Sequence, residues 1–237
     1  MVILLIGLLL CRAVFLQPTV TWQDDAHGSK TSIENKVILL IGDSMMGGAT
    51  GYFLSDSLKA EGARSVIIDF HTSSGLCRPD FFNWNDQLNT LLFNHDFDIA
   101  MVFIGANDNQ SIHRYTEGWI RYHTDEWYDE YNQRVGNIMD MLLIKADRVY
   151  WIGLPKMINP EFDEGIVVLN SIYEEQANLR NNVFYISSYE LFDNFSSASY
   201  YQPLNPTSSS LRAEDGCHLT ARGAKILVQK IIEFISQ

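Results

Sequence analysis

Two runs in this chain, VILLIG at Val37–Gly42 and IAMVFIG at Ile99–Gly105, are apolar at every position up to their closing glycine. A strand with one face in water alternates apolar and polar residues. A run without alternation belongs to a strand buried on both faces, the signature of a parallel sheet covered by helices. β-rich runs occur at Val37–Ile41, Ser65–Phe70, Ile99–Ile104, Arg148–Ile152 and Val183–Ile186. Between and after them lie segments with helical spacing: Thr50–Glu61, Trp84–Asn94, Tyr128–Ala146, Glu161–Leu179 and Thr220–Ile235. This alternation predicts an α/β fold, a three-layer α/β/α sandwich around a five-stranded parallel sheet with right-handed crossovers.

In such sheets the ligand site lies beyond the carboxyl ends of the strands. The loops there are GDSMMGG after the first strand, HTSSGLCRPD after the second and GANDNQ after the third, with RAEDGCHLT before the last helix. All four are rich in Ser, Asn, Asp, His and Gly, so the polar chemistry falls where the architecture puts active sites.

Ser44 stands at the end of the first strand. A serine hydroxyl is a poor nucleophile until a neighbouring base removes its proton. Of the six histidines, His218 is the one that follows a carboxylate, Asp215, across a glycine-containing turn. Asp215 could hold one imidazole nitrogen and leave the other to face Ser44. Taken alone, D-x-x-H also reads as a helix cap beside a surface histidine. Acyl transfer further needs donors aimed at the developing oxyanion. The candidates are the Ser44 N–H, the Gly75 N–H and the Asn107 side-chain amide; the last two also read as ordinary turn residues.

The segments Gly42–Ser44 (G-D-S), the Gly75 loop, Gly105–Asp108 (G-A-N-D) and Asp215–His218 (D-G-C-H) resemble, in order, the four sequence blocks of the SGNH, or GDSL-like, hydrolase superfamily. The resemblance implies that Ser44 is the nucleophile, His218 the base and Asp215 its orienting partner, with Ser44, Gly75 and Asn107 forming the oxyanion hole. It also implies a flavodoxin-like strand order, 2-1-3-4-5. SGLCRPDFFNW and VYWIGLPKM are similar to an exported bacterial branch of that superfamily. Two departures stand out: the first block reads G-D-S-M, and Cys77 and Cys217 both fall beside implied catalytic residues. If the loops converge, these thiols are candidates for a disulfide tying the oxyanion loop to the Asp-His loop, which an oxidising compartment would permit. Two separate small thiols are the alternative.

The stretch NQSIHRYTEGWIRYHTDEWYDEY carries Trp119, Trp127 and four tyrosines. Long insertions in compact domains are commonly functional. Trp119 and Trp127 are therefore candidates for binding substrate, with a self-packed insertion as the alternative. Arg78, next to the Gly75 loop, and Asp108 are further candidates, and Arg78 reads equally as an ion-pair partner of Asp80 or Asp108. The expected activity is a serine esterase acting through an acyl-enzyme on an O-acylated envelope or extracellular carbohydrate. An O-acyltransferase using the same residues, and a silent glycan-binding domain, are the alternatives.

Charge narrows the partners. The formal net charge is −12 and the sequence pI about 4.8. Nucleic acid is excluded as a partner, since binding a polyanion needs a basic face. No cofactor is expected: the glycines after Ser44 lack a P-loop lysine, and no convincing metal site is found, Asp24, Asp25 and His27 lying in the expected linker. Residues 1–16 are apolar apart from Cys11, Arg12 and Gly7, a run shorter than the about 20 residues of a spanning helix. They read as a signal or membrane anchor, 17–35 as a polar linker and 36–237 as the catalytic domain, which places the protein outside the cytoplasm, in the periplasm or envelope.

Overall fold

The structure is a computed structural model that describes residues 33–193 and 210–237. The expectations for residues 1–32, including the anchor and most of the linker, lie outside the described residues, as does the loop at 194–209. Packing is already under way at Ile33, which is buried, and the Asn35 N–H donates to the Gly62 carbonyl.

Five strands form the central sheet: β1 (Val37–Gly42), β2 (Ser65–Phe70), β3 (Ile99–Phe103), β6 (Arg148–Ile152) and β7 (Val183–Ile186). All neighbours are parallel, in the order β2-β1-β3-β6-β7, which is the expected 2-1-3-4-5. β1 and β3 are buried along their whole length, as their unbroken apolar runs require. The edge strand β2 is half-exposed, with Ile68 and Phe70 open to solvent.

The helices are α1 (Ser44–Gly47), α2 (Ala49–Ala60), α3 (Trp84–Asn94), α4 (Asp125–Leu142), α5 (Pro160–Asn178), α6 (Tyr189–Asp193) and α7 (Ala221–Ile235). α2 packs on α7, while α4 packs between α3 and α5. Their starts are marked by polar caps: the side chains of Asn83, Thr124, Asn159 and Thr220 each accept an N–H of the first turn, satisfying donors the helix itself cannot. Pro160 adds a pre-set φ at the start of α5.

The aromatic insertion has secondary structure of its own. It folds as a small antiparallel hairpin, β4 (Ile112–Arg114) with β5 (Gly118–Ile120), followed by a helix that begins three residues earlier than its periodicity suggests. The cause is Thr124, whose hydroxyl accepts the Trp127 N–H and starts the helix there. Among the described residues no helix is long and apolar enough to cross a membrane.

Candidate active site

The carboxyl ends of β1, β2 and β3 are joined by backbone bonds. The Asp43 N–H donates to the Phe103 carbonyl at 3.3 Å, and the His71 N–H donates to the Gly42 carbonyl at 3.0 Å. Ser44 opens α1 directly after β1, with Asp43 as its cap. As the first helical residue, its N–H is a donor without an intrahelical acceptor.

Asp43 stitches two of these loops together. Its Oδ1 accepts the Met45 N–H at 2.8 Å, and its Oδ2 accepts the N–H groups of Gly105 and Ala106 at 2.9 and 3.0 Å. Burial pushes its carboxyl up to about 7, against the three N–H donors that favour the anion; the nearby Asp108 carboxylate adds to the rise. Gly105 enters this turn at φ +122°, and a Cβ there would lie 2.0 Å from the Tyr173 hydroxyl, so only glycine fits.

Asp108 performs the second stitch. Its Oδ2 accepts the Leu76 N–H and the Tyr131 hydroxyl, both at 2.8 Å, and its Oδ1 accepts the Cys77 N–H at 2.9 Å. A Cβ on Gly75 would lie 2.2 Å from that Oδ1, so glycine lets the loop close onto the carboxylate. The Asn107 amide donates to the Ser74 carbonyl at 2.8 Å, which leaves its second N–H available. Neither the Gly75 nor the Ser44 N–H has an acceptor among the described residues.

The last loop carries Asp215 and His218. It turns at Gly216, φ +71°, and is closed by the Ala213 N–H donating to the His218 carbonyl at 2.9 Å. The cap Thr220 then launches α7. Asp215 Oδ1 accepts the backbone N–H groups of Cys217 and His218, both at 2.9 Å, while its Oδ2 lies 2.6 Å from His218 Nδ1. On the other side of the ring, His218 Nε2 lies 2.8 Å from Ser44 Oγ. Burial opposes ionisation of Asp215. The hydrogen bonds from the His218 ring and from two backbone N–H groups outweigh it and hold the carboxyl below its usual range. The His218 and Asp215 side chains remain 40% and 50% exposed.

The remaining expectations divide. Of the two readings of the cysteines, separate thiols hold and the disulfide does not: Cys77 and Cys217 are free. Cys77 is buried with its Sγ donating to the Asp108 carbonyl at 3.4 Å, and burial pushes its thiol up. Cys217 sits half-buried in the Asp215 turn, where burial pushes its thiol up to about 11. Asp108 and Trp127 are fully buried and cannot meet a substrate. Asp108 is spent on backbone donors, and Trp127 stacks on Tyr131 with ring centroids 4.9 Å apart. Trp119 is exposed, with the Arg78 guanidinium 5.0 Å over its ring, but Arg78 is itself paired through Nε and Nη2 to Asp80.

Two residues with a part in the site carried no assignment from the sequence. Asp43 shows only a helix-cap signal there, and nothing local says that its second oxygen crosses to β3's exit. Arg134 reads as a surface partner for Glu130 at i−4. It bonds Glu130 at 2.7 Å, yet also donates to the carbonyls of Leu76 at 2.7 Å and His113 at 3.0 Å, fastening the Gly75 loop to the hairpin.

This architecture is shared with solved structures. An acetylxylan esterase from Geobacillus stearothermophilus superposes with a TM-score of 0.61 at 16% identity, over 85% of this chain and 94% of that one. A proposed SGNH hydrolase from Slackia heliotrinireducens gives 0.59 at 14% identity, covering 84% and 98%. A GDSL-like lipase from Bacteroides thetaiotaomicron VPI-5482 gives 0.53 at 16%, covering 85% and 88%. The fold is that of the SGNH, or GDSL-like, hydrolases. No curated protein matches the sequence. The family model that does match, over residues 37–233, is described as "Protein of unknown function (DUF459)".

Proposed function

The chain belongs to this DUF459 family, and we propose that it is a serine esterase that removes O-acyl groups from an extracellular or envelope carbohydrate. One observation carries the reading: a single imidazole bridges Ser44 Oγ at 2.8 Å and Asp215 Oδ2 at 2.6 Å. With its Nδ1 proton directed to Asp215, His218 presents the Nε2 lone pair to the serine hydroxyl.

Ser44 Oγ attacks the ester carbonyl as His218 Nε2 takes its proton. The carbonyl oxygen becomes an oxyanion, received by the N–H groups of Ser44 and Gly75 and the spare Asn107 N–H. Collapse expels the sugar alkoxide, which takes the proton back from His218 and leaves an acyl-serine. Water, deprotonated by the same nitrogen, then releases the acid and restores Ser44. Asp215 keeps the ring oriented and stabilises the imidazolium formed in each half.

The half-exposed His218 and Asp215 side chains favour water over a sugar hydroxyl as the second acceptor. The carbohydrate assignment is supported by fold kinship with an acetylxylan esterase and by the neutral polar chemistry beside the Gly75 loop described below.

The test is p-nitrophenyl acetate hydrolysis and fluorophosphonate labelling, wild type beside Ser44→Ala, with intact-mass detection. The expected result is turnover and one adduct in the wild type, no adduct in the variant, and a fall in kcat of at least about a thousandfold. A folded wild type with neither turnover nor adduct overturns the reading.

A further inference from the structure

A cavity of about 450 Å³ lies between the Gly75 loop, the start of α3, the β4–β5 hairpin and one face of α4. Its volume is in the range of small-molecule sites, about 300–1,000 Å³. Gly75 and Leu76 form part of its wall, so an occupant rests against the loop whose N–H is assigned to the oxyanion.

The wall is rigid. Arg134 bonds the Leu76 and His113 carbonyls, and the His113 N–H donates to the Cys77 carbonyl at 2.8 Å. Tyr115, 63% exposed, is held by its hydroxyl donating to the Pro79 carbonyl at 2.5 Å, so an open aromatic ring is fixed in place at the cavity. Binding there costs little ordering of the protein.

The charges of the cavity are already matched. Arg114 bonds Glu117 at 2.8 Å, Glu126 at 3.0 Å and Glu130 at 3.2 Å, and Arg134 takes the other oxygen of Glu130. An ionic ligand finds no free counter-charge. Without a hydrogen-bond partner among the described residues are the side-chain amides of Asn85, Gln133 and Asn137, together with the Thr116 hydroxyl and His113 Nδ1, all of which border the cavity. Each amide offers two donors and an acceptor, the pattern that matches a ring of hydroxyls, while the fixed Tyr115 face suits the apolar C–H side of a sugar. We infer that this cavity is a subsite for a neutral sugar ring, holding a glycan unit next to the one whose ester enters the Ser44 site. The inference deepens the esterase reading and rests on it for what the bound glycan is used for.

The test needs no turnover. The full-length protein, isotopically labelled, is titrated by NMR with unacylated xylohexaose, cellohexaose and chitohexaose up to tens of millimolar. The expected result is saturable shifts of the Asn85 and Asn137 side-chain amides and of the Trp84 indole N–H for at least one of the three sugars. Tyr115→Ala should weaken that affinity about tenfold or more, and Tyr115→Phe, which keeps the ring and loses its tether, should weaken it less. Tyr115 is exposed, and a matching backbone spectrum verifies that the variants fold. Absence of shifts with all three sugars overturns the inference, as does binding that is indifferent to Tyr115→Ala. Because the readout is binding, a catalytically silent Ser44 would overturn the esterase reading and leave this result standing; the reverse outcome is equally distinct.

Discussion

At Asp43 one buried carboxylate takes three backbone donors and holds the nucleophile's turn against the turn that carries Asn107. Its linkage has a definite sign. The folded value, about 7, lies above the ordinary 3.8, so the folded state binds the proton more tightly. The associated stability is therefore full below about pH 4 and is lost as pH rises towards 7. Asp43→Asn removes that titration, along with part of the stitch. The stability advantage of wild type over the variant, measured by urea unfolding, should be largest near pH 4 and narrow towards pH 8. One pKa unit corresponds to about 1.4 kcal/mol, so a gap that changes by less than about 1 kcal/mol counts against a charge-burial cost at Asp43. Gly75→Ala tests the partner stitch at Asp108. A methyl 2.2 Å from Asp108 Oδ1 must push the loop away and misplace one oxyanion donor. A fall in kcat of about tenfold to a hundredfold is expected, with KM little changed. An unchanged kcat would mean that the Gly75 N–H does not serve the transition state.

At the scale of elements, α4 does more than cover the sheet, because Arg134 on it donates to carbonyls of two different segments, Leu76 in the Gly75 loop and His113 in the hairpin. Arg134→Lys keeps the charge but loses the fork that reaches both carbonyls and Glu130 at once. Destabilisation of about 1–3 kcal/mol is expected by urea unfolding, since at least one carbonyl loses its partner. Less than about 0.5 kcal/mol would show that water replaces the contact freely. The sequence made the large elements legible for a physical reason: β1 and β3 are buried on both faces and have no room for a polar residue. It hid the hairpin because strands of three residues leave no periodicity to read, and Ile112 and Ile120 are the buried members of a largely polar stretch. Trp127 looked like a substrate contact because the helix start was set by Thr124, a cap outside the periodic run, which turns Trp127 into the core. Ser44 and Asn107 were legible as polar residues just past strand ends and Asp215 and His218 as a pair before the last helix, with their roles implied by the resemblance of the four blocks taken together. The stitches by Asp43 and Asp108 were not, since their partners lie 62–63 and 31–32 residues away in the chain.

For the whole molecule the governing quantity is the field around an acidic body. Residues 1–32 contain Arg12 and Lys30 against Asp24 and Asp25, so they add no net charge and the entire −12 belongs to residues 33–237. A charge of that size repels anions over roughly a Debye length, about 8–10 Å at ordinary ionic strength and about 3 Å in 1 M salt. An anionic ester is therefore slowed on approach, and raising the salt relieves it; a neutral acyl sugar feels almost no such field. The proposed substrate class makes this measurable. kcat/KM for a neutral acetylated sugar should change by less than about twofold between 0.02 and 0.5 M NaCl, while kcat/KM for a succinylated analogue of the same sugar should rise severalfold. If the succinylated analogue is the better substrate at low salt and weakens as salt is added, a local basic subsite governs binding. The open charges at the site would then have to be sought at Arg78, released from Asp80, and the neutral-glycan assignment would fall with the experiment.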